Sequence, residues 1–134
     1  MKYLFIVFCG FIFFSCKEKS IEQVEKKSQL YEDVMALHDK VMPEMSTIHA
    51  IKRDLKLLEN TQNRDQILRI IIDLDNADEN MMSWMAEFKV PEDKSKENYY
   101  LLEQKQSIQK VSDRMFASIH EGKRVLDSLT SLKK

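Results

Sequence analysis

The sequence predicts an all-α fold: an up-down-up three-helix bundle with long, coiled-coil-like helices. Three observations predict it. Gly and Pro are scarce, with two of each in 134 residues, which argues against sheets and tight turns. Apolar residues recur at alternating steps of three and four, the period of a helix face. Only two polar stretches carrying capping or breaking residues, "NTQNRD" and "KVPEDKS", interrupt that periodicity.

The chain opens with "MKYLFIVFCGFIFFSC". Lys2 is a short positive start, and Tyr3 to Phe14 is nearly unbroken apolar sequence. About 12 apolar residues suit a secretory signal and fall short of the roughly 20 a spanning helix needs. The run closes on Ser15-Cys16 and turns abruptly polar at Lys17-Glu18-Lys19-Ser20. An apolar run ending in a small residue and Cys resembles a bacterial lipobox, with Phe13 where that motif usually has Leu. The expectation is a signal peptide over 1–15, a lipidated Cys16, and a short tether over 16–20. The plainer alternative is an ordinary signal peptide with an incidental Cys. Lipidation of Cys16 and loss of Cys9 with the signal would leave the exported chain without a thiol or a disulfide. Its fold would then rest on its own core.

Cys16 onward leaves about 120 residues, the size of one domain. The whole chain has 21 Lys and Arg against 22 Asp and Glu. No basic block points to nucleic acid, and mixed charge at this density suits solvated helix faces.

The first helix is expected over about 20–60. Its seam is Leu30, Val34, Leu37, Val41, Ile48, Ile51, Leu55 and Leu58, an a/d pattern once Glu44 or its neighbour Met45 fills the missing layer. Pro43 lies inside it and should kink the helix just before itself, by removing one backbone donor. The second helix is expected over about 65–88. Ile67, Ile70, Leu74, Ala77, Met81, Trp84 and Phe88 form its seam, and Ile71, Met82 and Met85 widen the apolar face. The third is expected over about 94–132. Its seam is Leu101, Gln104, Ile108, Val111, Met115, Ser118, Gly122, Val125, Leu129 and Leu132. Gly122 permits either a close helix contact or a helix stop; a continuous helix is the expectation. At about 1.5 Å per residue the outer helices approach 60 Å and the middle one about 36 Å. The first helix should therefore overhang beside the anchor as a stalk.

Antiparallel pairing through the 60–65 turn sets residues of the first two helices level when their numbers sum to about 125. His38, Met42, Met45, Met81, Met82, Trp84 and Met85 should then lie within a few turns of one another. Thioether and imidazole donors without a thiolate suit Cu(I), and an indole can sit over a cation. A His and a Met from facing helices could also ligate haem, although three slender helices offer little room. The ordinary reading is a Met-rich core, because Met fills irregular gaps and packs on aromatic edges. Asp78 projects near the centre of the second helix's apolar face. A carboxylate there needs a partner, and level counting brings His49 or Thr47 to it. Rotation to a solvated rim is the alternative. His120 falls on the outer side of its helix.

No Gly-rich phosphate loop, His-Glu-x-x-His or Glu-x-x-His repeat is present, and an isolated Asp–His pair is more often structural than catalytic, so no enzyme activity is expected.

"HDKVMPEM" (His38 to Met45) and "ADENMMSWMAEF" (Ala77 to Phe88) resemble blocks in small bacterial lipoproteins. That family often carries the label "viral A-type inclusion protein", which says nothing about activity. The resemblance covers the first two helices and implies no catalytic residue. The expected protein is a non-catalytic interaction or structural module of the cell envelope. It would be held to the membrane by its N-terminal lipid and would meet an envelope protein partner. Lys17, rather than Asp, after Cys16 points to the outer membrane by the sorting rule of familiar lipoproteins, with the periplasmic or surface side open.

Overall fold

The computed structural model of the protein describes residues 18–132, with side chains from Gln29 onward. The expected signal peptide and Cys16 lie outside the described residues, and the expected tether is already helical at Glu18. The described residues form four helical segments and no strand: α1 Glu18–Val41, α2 Glu44–Leu57, α3 Arg64–Glu87 and α4 Lys94–Ser131. None is long and apolar enough to cross a membrane.

The first predicted helix is realised as two segments, divided at Pro43. Proline has no N–H to return to Asp39, so the i→i−4 ladder fails there. The chain tightens instead. Met45 and Ser46 N–H donate to Met42 and Pro43 carbonyls at 3.3 Å, and Ser46 Oγ donates to the Pro43 carbonyl at 2.7 Å. Val34, Val41, Ile48 and Leu55 are nonetheless all fully buried. Their spacing of seven runs through the break, so Pro43 interrupts the backbone without resetting the seam.

Two asparagines close the α2–α3 turn. Asn60 Oδ1 accepts from the Gln62 and Asn63 N–H groups, and Asn63 Oδ1 accepts from the Asn60 N–H. Asn63 Nδ2 satisfies the Leu58 carbonyl. α3 ends where Phe88 turns extended, three residues before Pro91. Asp93 caps α4 by accepting from the Ser95 N–H, a donor left without a helical partner.

Pairs of contacting residues give the directions of the helices. Tyr31 meets Phe88, His49 meets Asp78, and Lys52 meets Asp75, so numbers fall on α3 as they rise on α1 and α2. Asp33 meets Lys105, and Lys40 sits over the Phe116 ring at 5.2 Å, so numbers rise together on α1 and α4. Gly122 of α4 faces Ile51 of α2 and both Leu74 and Ile70 of α3.

The core holds the predicted α3 seam from Ile67 through Trp84, together with Leu101, Ile108, Val111, Met115, Gly122 and Val125 of α4. Three expectations differ. Met82 is half exposed rather than part of a widened face: one residue past Met81, it points about 100° away from the seam, beyond the arc its neighbours cover. Leu132 is also exposed. The Gly122–Ile51 contact puts it level with residue 61, past the end of α2, so nothing lies over it. On α4, Ser112 and Ile119 are buried while the predicted Ser118 is half-buried. α4 packs against α1, α2 and α3, so its buried arc is broader than one a/d seam. The helix runs unbroken through Gly122.

Candidate functional site

The end of α1 meets the last turns of α3 through side chains. His38, about one-fifth exposed, lies with its ring centroid 6.0 Å from Trp84. Its Nδ1 pairs with Asp39 Oδ1 at 2.8 Å, leaving Nε2 for any other partner. Met81 is fully buried beside Trp84, and Met42, Met45 and Met85 pack half-buried against the same core. Met82 turns away from the core, and His38 and Trp84 of the predicted cluster meet across α1 and α3. Among the described residues no group of three or more His, Cys, Asp or Glu is placed to hold a metal ion; any soft-metal site here would draw on the thioethers.

Trp84 stacks on Phe88 at 4.9 Å, and Phe88 lies 6.3 Å from Tyr31 and 6.0 Å from Tyr100. Five rings from α1, the α3 end and α4 thus form one chain of contacts, the tilted and offset arrangement aromatic quadrupoles favour. Tyr100 also accepts the Lys89 N–H at 2.6 Å, tying the α3–α4 connection to α4. Sequence reading found Trp84 and Phe88 as seam positions but missed Tyr31 and Tyr100 as their partners. The Trp84 Nε1 is enclosed and has no acceptor within hydrogen-bonding distance.

Asp78 lies one helical turn below this cluster. His49 Nε2 and Asp78 Oδ2 are 3.3 Å apart, a long contact for a hydrogen bond. His49 is 61% exposed, Asp78 only 22%. The other carboxylate oxygen, Oδ1, is buried and unpartnered. Thr47 is half-buried and makes no hydrogen bond to Asp78; a helix turn further on, Lys52 pairs with Asp75. The arrangement is a two-rung polar ladder between α2 and α3. Chemically it offers one carboxylate held to one largely hydrated imidazole.

On the other flank of α3, two shallow grooves of about 300 and 250 Å³ run between α3 and α4 and share Asn80 and Arg114. Asp73, Asn76, Ser83 and Lys110 also line them. Periodicity alone did not mark this surface, because each polar residue reads as ordinary helix exterior until α4 is placed beside it. His120 is exposed, on the outer side of α4.

Comparison with family models, with curated proteins and with solved structures finds no match in any of the three.

Proposed function

We propose that this chain is a lipid-anchored protein of the cell envelope that works as a non-catalytic interaction or structural module. Its architecture on this reading is an up-down-up three-helix bundle with coiled-coil-like helices. The run from Tyr3 to Phe14, closing on Ser15-Cys16, supports the anchor. The direction of the contacting pairs and the sevenfold spacing of Val34, Val41, Ile48 and Leu55 support the architecture. The observation that carries the interaction role is outward apolar surface on long helices. Leu68, Ile72 and Met82 on α3, and Tyr99 and Leu102 on α4, each stand about half exposed or more. Large apolar side chains left in water along a rigid rod suit a partner surface.

The test of the anchor is radiolabelled palmitate incorporation and membrane fractionation of the full chain against Cys16→Ser. The wild-type chain should label and pellet with outer-membrane vesicles, and the variant should do neither. A Cys16→Ser chain that still labels and pellets sinks the anchor. The interaction role fails if the anchored protein stays monomeric and cross-links to no envelope protein in cells.

A second reading starts from the His38–Trp84 ring contact at 6.0 Å, with Met42 and Met45 flanking Pro43 and Met81 and Met85 flanking Trp84 along the chain. Such soft donors suit Cu(I) or, less well in so narrow a core, haem. Titrating Cu(I) under reducing conditions into the full chain in detergent, with Trp84 emission as readout, separates the readings. Quenching lost on Met→Leu at positions 42, 81 and 85 supports metal. Unchanged emission with no bound copper leaves the module.

A further inference from the structure

α3 carries two apolar stripes, and the fold covers only one. The buried stripe is the seam from Ile67 to Phe88. The second is Leu68, Ile72, Asp75, Glu79, Met82 and Ala86, spaced 4-3-4-3-4, the same a/d rhythm on the far side of the helix. All six positions are exposed. Leu68, Ile72 and Met82, at 52%, 49% and 51%, are every one of α3's large exposed apolar side chains. The stripe is about 27 Å long at 1.5 Å per residue. Its ends are apolar and its middle is acidic. Asp75 is paired to Lys52 of α2, while Glu79 has no ion pair or hydrogen bond among the described residues.

We infer that this outer stripe of α3 is the docking face for one amphipathic helix of a different protein. That helix carries apolar residues at both ends and Lys or Arg at the central position opposite Glu79. The inference rests on the interaction-module reading. The acidic middle selects the occupant. A second copy in antiparallel two-fold register would set Leu68 on Ala86, Ile72 on Met82, and Asp75 on Glu79; a parallel copy would set each acid on itself. The parallel copy sets Glu79 on Glu79, and the antiparallel copy sets it on a carboxylate whose lysine is already engaged, so neither offers Glu79 an unpaired cation. An anionic lipid surface offers none either. A helix with a basic centre does, and Glu79 is the open acceptor for it. Pairing of helices along such a stripe is read from positions three and four residues apart, the spacing of the six positions from Leu68 to Ala86.

The test is photo-crosslinking of the full chain in its own cells. A benzophenone side chain replaces Ile72 or Met82, with Tyr99 and Leu102 on α4 as comparison sites. The crosslinked peptide is then mapped by mass spectrometry. The expected product joins positions 72 and 82 to one segment of one protein, helical, with a basic residue between apolar pairs. Glu79→Lys, checked for an unchanged melting temperature, should cut its yield at least about tenfold. Replacing the partner's basic residue by Glu should restore it. Crosslinks to a second copy, to lipid, or to a segment without a basic centre overturn the inference, as does a yield indifferent to Glu79→Lys. Crosslinks from 99 and 102 but not from 72 and 82 overturn it while leaving the interaction module standing.

Discussion

Gly122 shows how a single missing atom positions two helices. A Cβ at 122 would meet Ile51 Cγ2 at 2.9 Å and Leu74 Cδ1 at 3.4 Å. Alanine gains about 1 kcal/mol of helix propensity over glycine, but overpacking a closed core costs about 1–3 kcal/mol. Ile51 is only 4% exposed, with little space to swing into, so the clash should win. Gly122→Ala is expected to lose about 1 kcal/mol in urea denaturation, a balance of those two effects. Adding Ile51→Leu, which removes the Cγ2 branch, should return most of that loss. A Gly122→Ala chain as stable as the parent would show that α2 and α4 are not in tight contact there. Asp78 makes the opposite case. Its carboxylate is mostly buried for a single long contact to an exposed imidazole. Replacing such a group by an apolar one of similar size is often stabilising, so Asp78→Leu should raise stability by about 1 kcal/mol. Equal or lower stability would mean that the His49 contact is worth more than its geometry indicates.

Helix existence was legible in the sequence; helix continuity was less so. The boundaries of α3 and α4 follow from "NTQN", Pro91 and Asp93, because those residues act on the backbone within a turn of where they sit. Pro43 also acts locally, yet its sevenfold seam reads straight through it, so counting apolar spacing alone joins α1 to α2. The proline is a tolerated break rather than a register device. Pro43→Ala should therefore fuse α1 and α2, slow amide exchange over residues 42–46, and raise stability by about 1 kcal/mol, below the roughly 3 kcal/mol cost of an unrelieved mid-helix proline. Unchanged exchange at Met45 and Ser46 would show that packing against α3 and α4, and not the missing N–H, holds the break open. On α4, sequence reading found the layer but not its width. Ser112 and Ile119 are buried because a helix packed on one side by α3 and on another by α1 and α2 must bury more than one seam.

Across the whole molecule, α1 and α4 are tied by a contact between residues 72 apart in sequence. Lys105 Nζ donates to Asp33 Oδ2 at 2.6 Å and Gln29 Nε2 to Oδ1 at 2.9 Å. The Lys105 hydrogen bond first, then that of Gln29, holds the Asp33 carboxyl below its ordinary value. A carboxyl depressed in the folded state stabilises above its unfolded pKa, and that contribution is lost as pH falls through the folded value. The pair should thus act fully at pH 6 and fade below about pH 4. Lys105→Met should be less stable than the parent at pH 6, and the gap should close by about pH 2. Because Asp33 is well solvated, the difference should also shrink in high salt. A gap that stays constant with pH would mean the lysine contributes through its aliphatic stem alone.

By itself the sequence determined the helical class, the turn sites and most of each helix's seam, and it offered His49 as one of two partners for Asp78. Each of these depends on local backbone chemistry or on the fixed rise and angle per residue, which one chain position passes directly to the next. The tertiary structure alone decided which outward residues are covered. It turned Met82 to solvent, joined Tyr31 and Tyr100 to the Trp84–Phe88 stack, opened the α3–α4 grooves, and left the second stripe of α3 uncovered. Coverage depends on the angle at which neighbouring helices stand around each axis, and apolar spacing along a single helix does not contain that angle.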